Sequence, residues 1–314
     1  MSGFTTAAPD YLVRSEVWST DLKEVLQEEL MGTRYVRMLT DFPDGETFTI
    51  PSIGQFSVRN YVEDESVRYA AIDTGEFQFT VNTYIESSTY ITKKQLQDSF
   101  YANQLTASFV PGMKRAIMER IETDILNLQS GQTSANANTI NGAAHRFVGS
   151  GTNETIAVKD FARALHALKV ANVPQQNLVA IVDPSVEYTI NTLANLTNVS
   201  NNPMWEGIVS TGMSTGMRFL KNIYGFDVYT SNFLADANET IGGLTTAAGK
   251  ANLFFSASSD VLPFVGAMRQ DIQIESEFNK DYQREEHVTT ARYGFKLYRP
   301  ENLVCVLTDT DQVV

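Results

Sequence analysis

"GEFQFTVNTYIESSTYIT", Gly75 to Thr92, is the stretch whose reading decides the fold. Phe77, Phe79, Val81, Thr83 and Ile85 share one face of an extended chain, while Glu76, Gln78, Thr80, Asn82 and Glu86 share the other. As one unbroken strand it would reach roughly 60 Å, at about 3.3 Å per residue. A compact globule of 314 residues spans about 50 Å. A strand as long as its own domain needs a surface to lie on.

Working outward, the reading is extended from Glu46 to Thr92. "TFTIPSIGQFSVRNYV" climbs to an acidic segment, "EDESVRYAAIDTG", in which Asp73-Thr74-Gly75 signals a turn before the return strand. Two strands alone are marginal in water, so this hairpin must lean on another part of the fold or on another chain. The same holds for "WSTDLKEVLQEELMG" ahead of it. There Asp21 and Glu24 form a capping-box pattern, Leu22, Val25, Leu26 and Leu30 form one apolar stripe, and Gly32 supplies a stop.

After the hairpin comes the strongest helical signal, within "KKQLQDSFYANQLTASFVPGMKRAIMERIETDILNLQSG". Met113, Ile117, Ile121, Ile125 and Leu128 recur at three and four residues, and Pro111 marks a kink or a first turn. "SGQTSANANTINGAA" is a polar loop and the best boundary. The second half reads α/β: helix "AVKDFARALHALKVANV", buried strand "NLVAIVD", then Asp183 capping a helix with Pro184 at its first position. A Gly/Ser/Asn-rich loop, 197–216, precedes the strands "GFDVYTSNFL", "ANLFFSA", "FVGAMRQDIQIES", "TTARYGFKLYR" and "NLVCVLTD".

Composition narrows the function classes. With 43% hydrophobic and 11% aromatic residues there is ample material for a core, and a net charge of −13 argues against gripping nucleic acid through its phosphates. Cys305, the sole cysteine, excludes an intrachain disulfide and reads as a small apolar residue in a buried strand. No apolar run approaches the roughly 18 residues of a membrane span, and the start lacks a signal-peptide pattern, so an intracellular product is expected.

Sites for chemistry are sparse. His145, His166 and His287 are scattered, and the Glu285-Glu286-His287 run alternates faces on a strand, so no metal site is expected. Gly149-Ser150-Gly151 and Gly242-Gly243 lack the lysine and setting of a phosphate loop, and no cofactor is expected. "GMSTG", Gly212 to Gly216, matches the nucleophile-elbow pattern at Ser214, with Asp227, Asp236, Asp260, Asp271 and then His287 downstream. The elbow needs a buried strand before it and a helix after it, whereas a polar loop precedes Ser214. A serine hydrolase is therefore the alternative reading and not the leading one.

The order of elements resembles a tailed-bacteriophage major capsid protein of the Hong Kong 97 fold. "YVEDESVRYAAIDTGEFQFTVNTYIESSTYITKKQLQDS" resembles the family's extended loop and "VPGMKRAIMERIETDIL" its spine helix. "NLVAIVDPSVEYTINTL" and "KNIYGFDVYTSNFL" resemble the axial domain, and "ARYGFKLYRPENLVCVL" the closing strand. The resemblance implies an α+β fold divided into an N-terminal arm (1–45), an extended β-hairpin loop (46–92), a spine helix with peripheral domain (93–150), an α/β axial domain (151–260) and closing strands (261–314). It implies that the arm and hairpin drape over neighbouring subunits, so that Leu22, Val25, Leu26, Leu30, Phe56, Val58, Phe77, Phe79 and Val81 form an intersubunit interface. On that expectation Phe79→Asp leaves the monomer folded and stops assembly.

The implied partners are copies of the chain itself, as pentamers and hexamers, together with a portal protein and a cement or decoration protein. The shell would enclose double-stranded DNA without sequence-specific binding, in a virion assembled in the host cytoplasm. Two departures from the family pattern carry expectations. No Lys lies between Glu46 and Thr92, so the family's covalent crosslink from a lysine of this loop is chemically excluded. The arm helix begins within the first twenty or so residues, so scaffolding is expected from a separate protein. A tail-tube or sheath subunit is the structural alternative.

Overall fold

The computed structural model describes residues 30–39, 47–53, 74–98, 102–132, 137–192 and 219–309, together with 58, 60, 63, 64 and 66. In the first half lie strands β1 (Val36–Met38), β2 (Thr47–Ile53), β3 (Thr74–Thr80) and β4 (Thr83–Thr92), then helices α1 (Lys93–Asp98) and α2 (Ala102–Leu126). β2 and β3 pair antiparallel, with Phe48 opposite Phe79 and Ile50 opposite Phe77. Pairing breaks at Val81 and Asn82, and β4 joins a different sheet.

The Gly75–Thr92 stretch is therefore two strands serving two sheets. That removes the paradox of its length: half of it is ordinary body sheet. α2 runs for 25 residues, about 38 Å at 1.5 Å each, and continues through Pro111. Of its expected stripe, Met113, Ile117, Ile121 and Ile125 are buried and Leu128, just beyond its end, is half-buried.

The second half opens with the short strands β5 (Thr139–Ile140) and β6 (Ala143–Ala144). Between them Asn141 and Gly142 both have positive φ, 49° and 83°, as a two-residue hairpin turn requires. There follow β7 (Arg146–Val148), α3 (Val158–Val170), β8 (Leu178–Val182), α4 (Pro184–Thr192), β9 (Phe219–Ile223) and β10 (Phe226–Thr230). The chain closes with β11 (Thr240–Ile241), β12 (Leu244–Thr245), β13 (Gly249–Ser256), β14 (Phe264–Asn279), β15 (Arg284–Leu297) and β16 (Val304–Asp309). Asp183 caps α4 by accepting the Ser185 N–H at 2.9 Å.

β7, β16, β13, β8, β10 and β9 form a six-stranded sheet in that order. Its residues alternate between two cores. Leu178, Ala180 and Val182 face Phe161, Leu168, Val186 and Ile190 of α3 and α4, whereas Val179 and Ile181 join the cluster of Ile117, Ile121 and Ile125 from α2. Val304 and Val306 divide from Cys305 and Leu307 in the same way. Burial on both faces explains why "LVAIV" and "VCVL" read as unbroken apolar runs.

A second sheet has the order β1-β14-β15-β4, with β1 parallel to β14 and the other pairs antiparallel. It packs on α2, where the Tyr293 hydroxyl donates to Asp124 at 2.6 Å. β14 and β15 pair as far as Asn279 with Arg284, well past the three residues of β14 that β1 covers. Sequence patterning finds these two strands but not the length of ribbon they make.

Candidate functional site

The root of the β2–β3 hairpin is built into its own chain. Phe79 and Val81 are 1% and 0% exposed, packed with Val265 and Ala267 of β14 and bordered by Leu39, Phe48, Phe77 and Tyr298. The Phe77 ring meets Tyr298 edge-on, with centroids 5.0 Å apart. Lys296 sits 5.0 Å over that ring, and its ammonium donates to the Gln78 carbonyl at 2.8 Å. Gly294 permits the approach, because a Cβ there would lie 2.7 Å from the Thr80 carbonyl oxygen and 3.0 Å from the Val81 Cα.

The expectation that Phe79 and Val81 rest on a neighbouring subunit is thereby corrected. Alternation tells which residues share a face, and it is silent on whose surface covers them. Phe77 and, across from it, Ile50 remain half-buried, so the hairpin's apolar face begins in the core and runs outward from it. Val58 is 96% exposed. Phe56 lies outside the described residues, as do Leu22, Val25 and Leu26. Leu30 is half-buried and precedes a short 3-10 turn, Gly32–Tyr35, which Gly32 opens; the helix expected ahead of it lies outside the described residues.

The root of the N-terminal arm is fastened by Glu122, on what reads from sequence as the polar side of α2. Its carboxylate is fully buried and accepts the Met31 N–H at 3.0 Å and the Gly32 N–H at 2.7 Å. A Cβ on Gly32 would lie 2.8 Å from Glu122 Oε2, so only glycine comes this close. Burial pushes the Glu122 carboxyl above its ordinary range, and the two N–H groups, with Arg115 nearby, oppose that shift. No pattern in the sequence pairs Glu122 with Gly32, because the contact crosses 90 residues.

Other buried polar groups hold structure together. Arg146, 1% exposed, binds Glu239 through two parallel hydrogen bonds, 2.9 and 2.7 Å, and donates to Gln129 Oε1 at 2.6 Å. Cys305 is buried, with its thiol pushed up to about 12 by desolvation. Burial lowers the pKa of His145, while His287 bonds Ser276 across the ribbon at 2.8 Å. Among the described residues no group of three or more His, Cys, Asp or Glu could hold a metal ion, and no helix is long and apolar enough to cross a membrane. Ser214 lies outside the described residues, and the next described element is the strand β9, which begins at Phe219.

What the body does present is edges and exposed aromatics. β4 ends its sheet, with Tyr84 and Tyr90 projecting from its outer face, 57% and 55% exposed. Along the ribbon Ile274, Phe278 and Tyr282 are exposed. The Arg284 guanidinium lies 4.6 Å from the Tyr90 ring and 4.7 Å from Tyr282, and it pairs with Glu286 at 2.5 Å. Tyrosine and arginine of this kind are typical anchors of protein interfaces.

Comparison with known proteins bears on these surfaces. A family model described as phage capsid protein matches residues 75–306. The chain is similar to a solved structure from Mycobacterium phage Che8, with TM-score 0.69 and 16% identity, over 94% of this chain and 97% of that one. It is also similar to the capsid of Ralstonia phage GP4, with TM-score 0.68 and 12% identity, over 98% of both chains. For the mature capsid of bacteriophage PhiM1 the TM-score is 0.68 and the identity 11%, over 95% of this chain and 93% of that one. Comparison with curated proteins finds no match.

Proposed function

This chain belongs to the phage capsid protein family and has the α+β Hong Kong 97 fold, and from that premise we propose that its copies associate as pentamers and hexamers into the closed icosahedral shell of a tailed phage head. The reading rests above all on the family match, which spans the return strand of the hairpin, helix α2 and every strand of the two large sheets except β1 and the last residues of β16. Membership gives a capsid component with a structural role in the virion; the capsomer numbers and the enclosure of double-stranded DNA are the proposal's own content. So are the remaining partners: a separate scaffolding protein, a portal, and a cement protein on the outside.

In this reading the hairpin is rooted in its own subunit, and its half-buried outward face, with Phe77, Ile50 and the exposed Val58, reaches a neighbour. Interfaces of standard size bury roughly 1,200–2,000 Å², and a hairpin and an arm reaching across subunits add to that. The net charge of −13 suits a wall that holds DNA without gripping it.

Electron microscopy of the purified full-length chain, co-expressed with scaffolding protein where needed, tests the proposal. Closed spherical shells support it. Rods would favour a tail subunit, and a preparation of small oligomers under all conditions would overturn shell assembly.

A further inference from the structure

We propose that the open edge of β4 pairs antiparallel with β4 of a second copy about a two-fold axis at Ser87, joining two four-stranded sheets into one. This inference rests on the self-association proposed above and specifies one of its contacts. The direction of the backbone groups comes first. The Lys93 N–H donates to the Gln283 carbonyl at 2.9 Å, in register with the β4–β15 ladder, whereas the Thr92 N–H is taken by the Gln95 side chain. Odd-numbered residues of β4 therefore bond β15, and Tyr84, Glu86, Ser88 and Tyr90 direct their N–H and C=O groups to the open edge.

Among the described residues nothing bonds that edge. It also lacks the usual guards: Thr83–Thr92 holds no lysine, no proline and no bulge, and its one charge is Glu86. Such an edge invites another strand, and about a two-fold axis three registers keep three or more directly bonded residue pairs. Centring on Glu86 sets two carboxylates face to face, which is repulsive. Centring on Ser88 sets Glu86 opposite a tyrosine.

Centring on Ser87 sets Tyr84 opposite Tyr90 of the second copy, twice, and Glu86 opposite Ser88 of the second copy, twice. It pairs the two exposed tyrosines of the strand with each other and separates the like charges. About eight backbone hydrogen bonds would form across the edge, two for each directly bonded residue pair. The sequence "TYIESSTYIT" is thus self-complementary in a single register.

The register has a sharp readout, since it brings Ser87 of each copy directly opposite the other. Cα atoms of such non-hydrogen-bonded pairs lie about 4.5 Å apart, within disulfide range. The only native thiol, Cys305, is buried and does not compete. In the purified full-length chain, Ser87→Cys is expected to give a disulfide-linked dimer on a non-reducing gel after mild oxidation. Thr83→Cys, whose counterpart would lie about 26 Å away at 3.3 Å per residue, is expected to give none.

Added to Ser87→Cys, Ser88→Glu places a carboxylate opposite Glu86 and should cut the dimer yield about tenfold. Glu86→Lys in the same chain should restore it. All three positions are half-buried or exposed, so the fold tolerates them, which a thermal melt checks. Equal yields from Ser87→Cys and Thr83→Cys, or a yield indifferent to Ser88→Glu, would overturn the pairing. If Ser87→Cys fails to crosslink while microscopy of the same sample shows shells, the pairing falls and the shell reading stands. Absence of any assembly removes both.

Discussion

A carboxylate with no access to water is held at Glu122 by the Met31 and Gly32 amides, and removing it strands those donors in the interior. Glu122→Ala should cost about 3 kcal/mol, since each buried N–H left unpaired costs roughly 1–3 kcal/mol. The loss should appear in a urea midpoint and as faster hydrogen exchange at Met31 and Gly32. The pH dependence follows from the raised pKa of the folded state. The folded chain takes up this proton more readily than the unfolded one, so the contribution is fully present below the ordinary carboxyl value and is lost as pH rises through the folded value. Relative to Glu122→Gln, the wild-type urea midpoint should therefore rise as pH is lowered from 7 toward 4.5. Phe79 makes a second residue-scale case. Being buried with Val265 and Ala267 in its own chain, Phe79→Asp should unfold the isolated chain, and Phe79→Ala should cost about 3–5 kcal/mol.

At the scale of elements, the hairpin depends on how closely β15 approaches the break between β3 and β4. Gly294→Ala puts a methyl against the Thr80 carbonyl and the Val81 backbone, neither of which is a flexible side-chain end. It should destabilise by about 1–3 kcal/mol as an overpacking change, and limited proteolysis should then cut the hairpin near its root. Such elements also show what sequence discloses. α2, α3, α4, β8, β13 and β16 are legible because their apolar spacing and caps, such as Asp183 before Pro184, are local. The division of Gly75–Thr92 is not, because Val81 keeps its alternating place while the chain changes sheet. Asn141–Gly142 did carry a hairpin signal in plain dipeptide form, within a stretch that otherwise reads as loop. The Glu122–Gly32 fastening and the Arg146–Glu239 pair were invisible, being contacts between distant residues with no periodic mark. Of the expected interface residues, Phe77 and Val58 retain a surface to offer, and Phe79 and Val81 do not.

For the whole molecule, a mature particle should give a single band on a denaturing gel rather than a ladder, since the extended loop has no lysine to crosslink. Its cohesion would then be wholly non-covalent, and where force travels through each subunit becomes the question. Phe264 to Ala267 of β14 is where the paths meet. β1, continuing from the arm root, pairs along one edge of it and β15 along the other; Val265 and Ala267 hold the hairpin root, and Phe264 shares the core of the spine helix. In a shell assembled as proposed, with arm and hairpin reaching neighbours, outward pressure would pull on both, and both pulls would converge on these four residues. A pull along the strands would load the hydrogen bonds on either side in shear, so that they fail together rather than one at a time. The short stretch from Phe264 to Ala267 would then act as the tensile splice of the subunit.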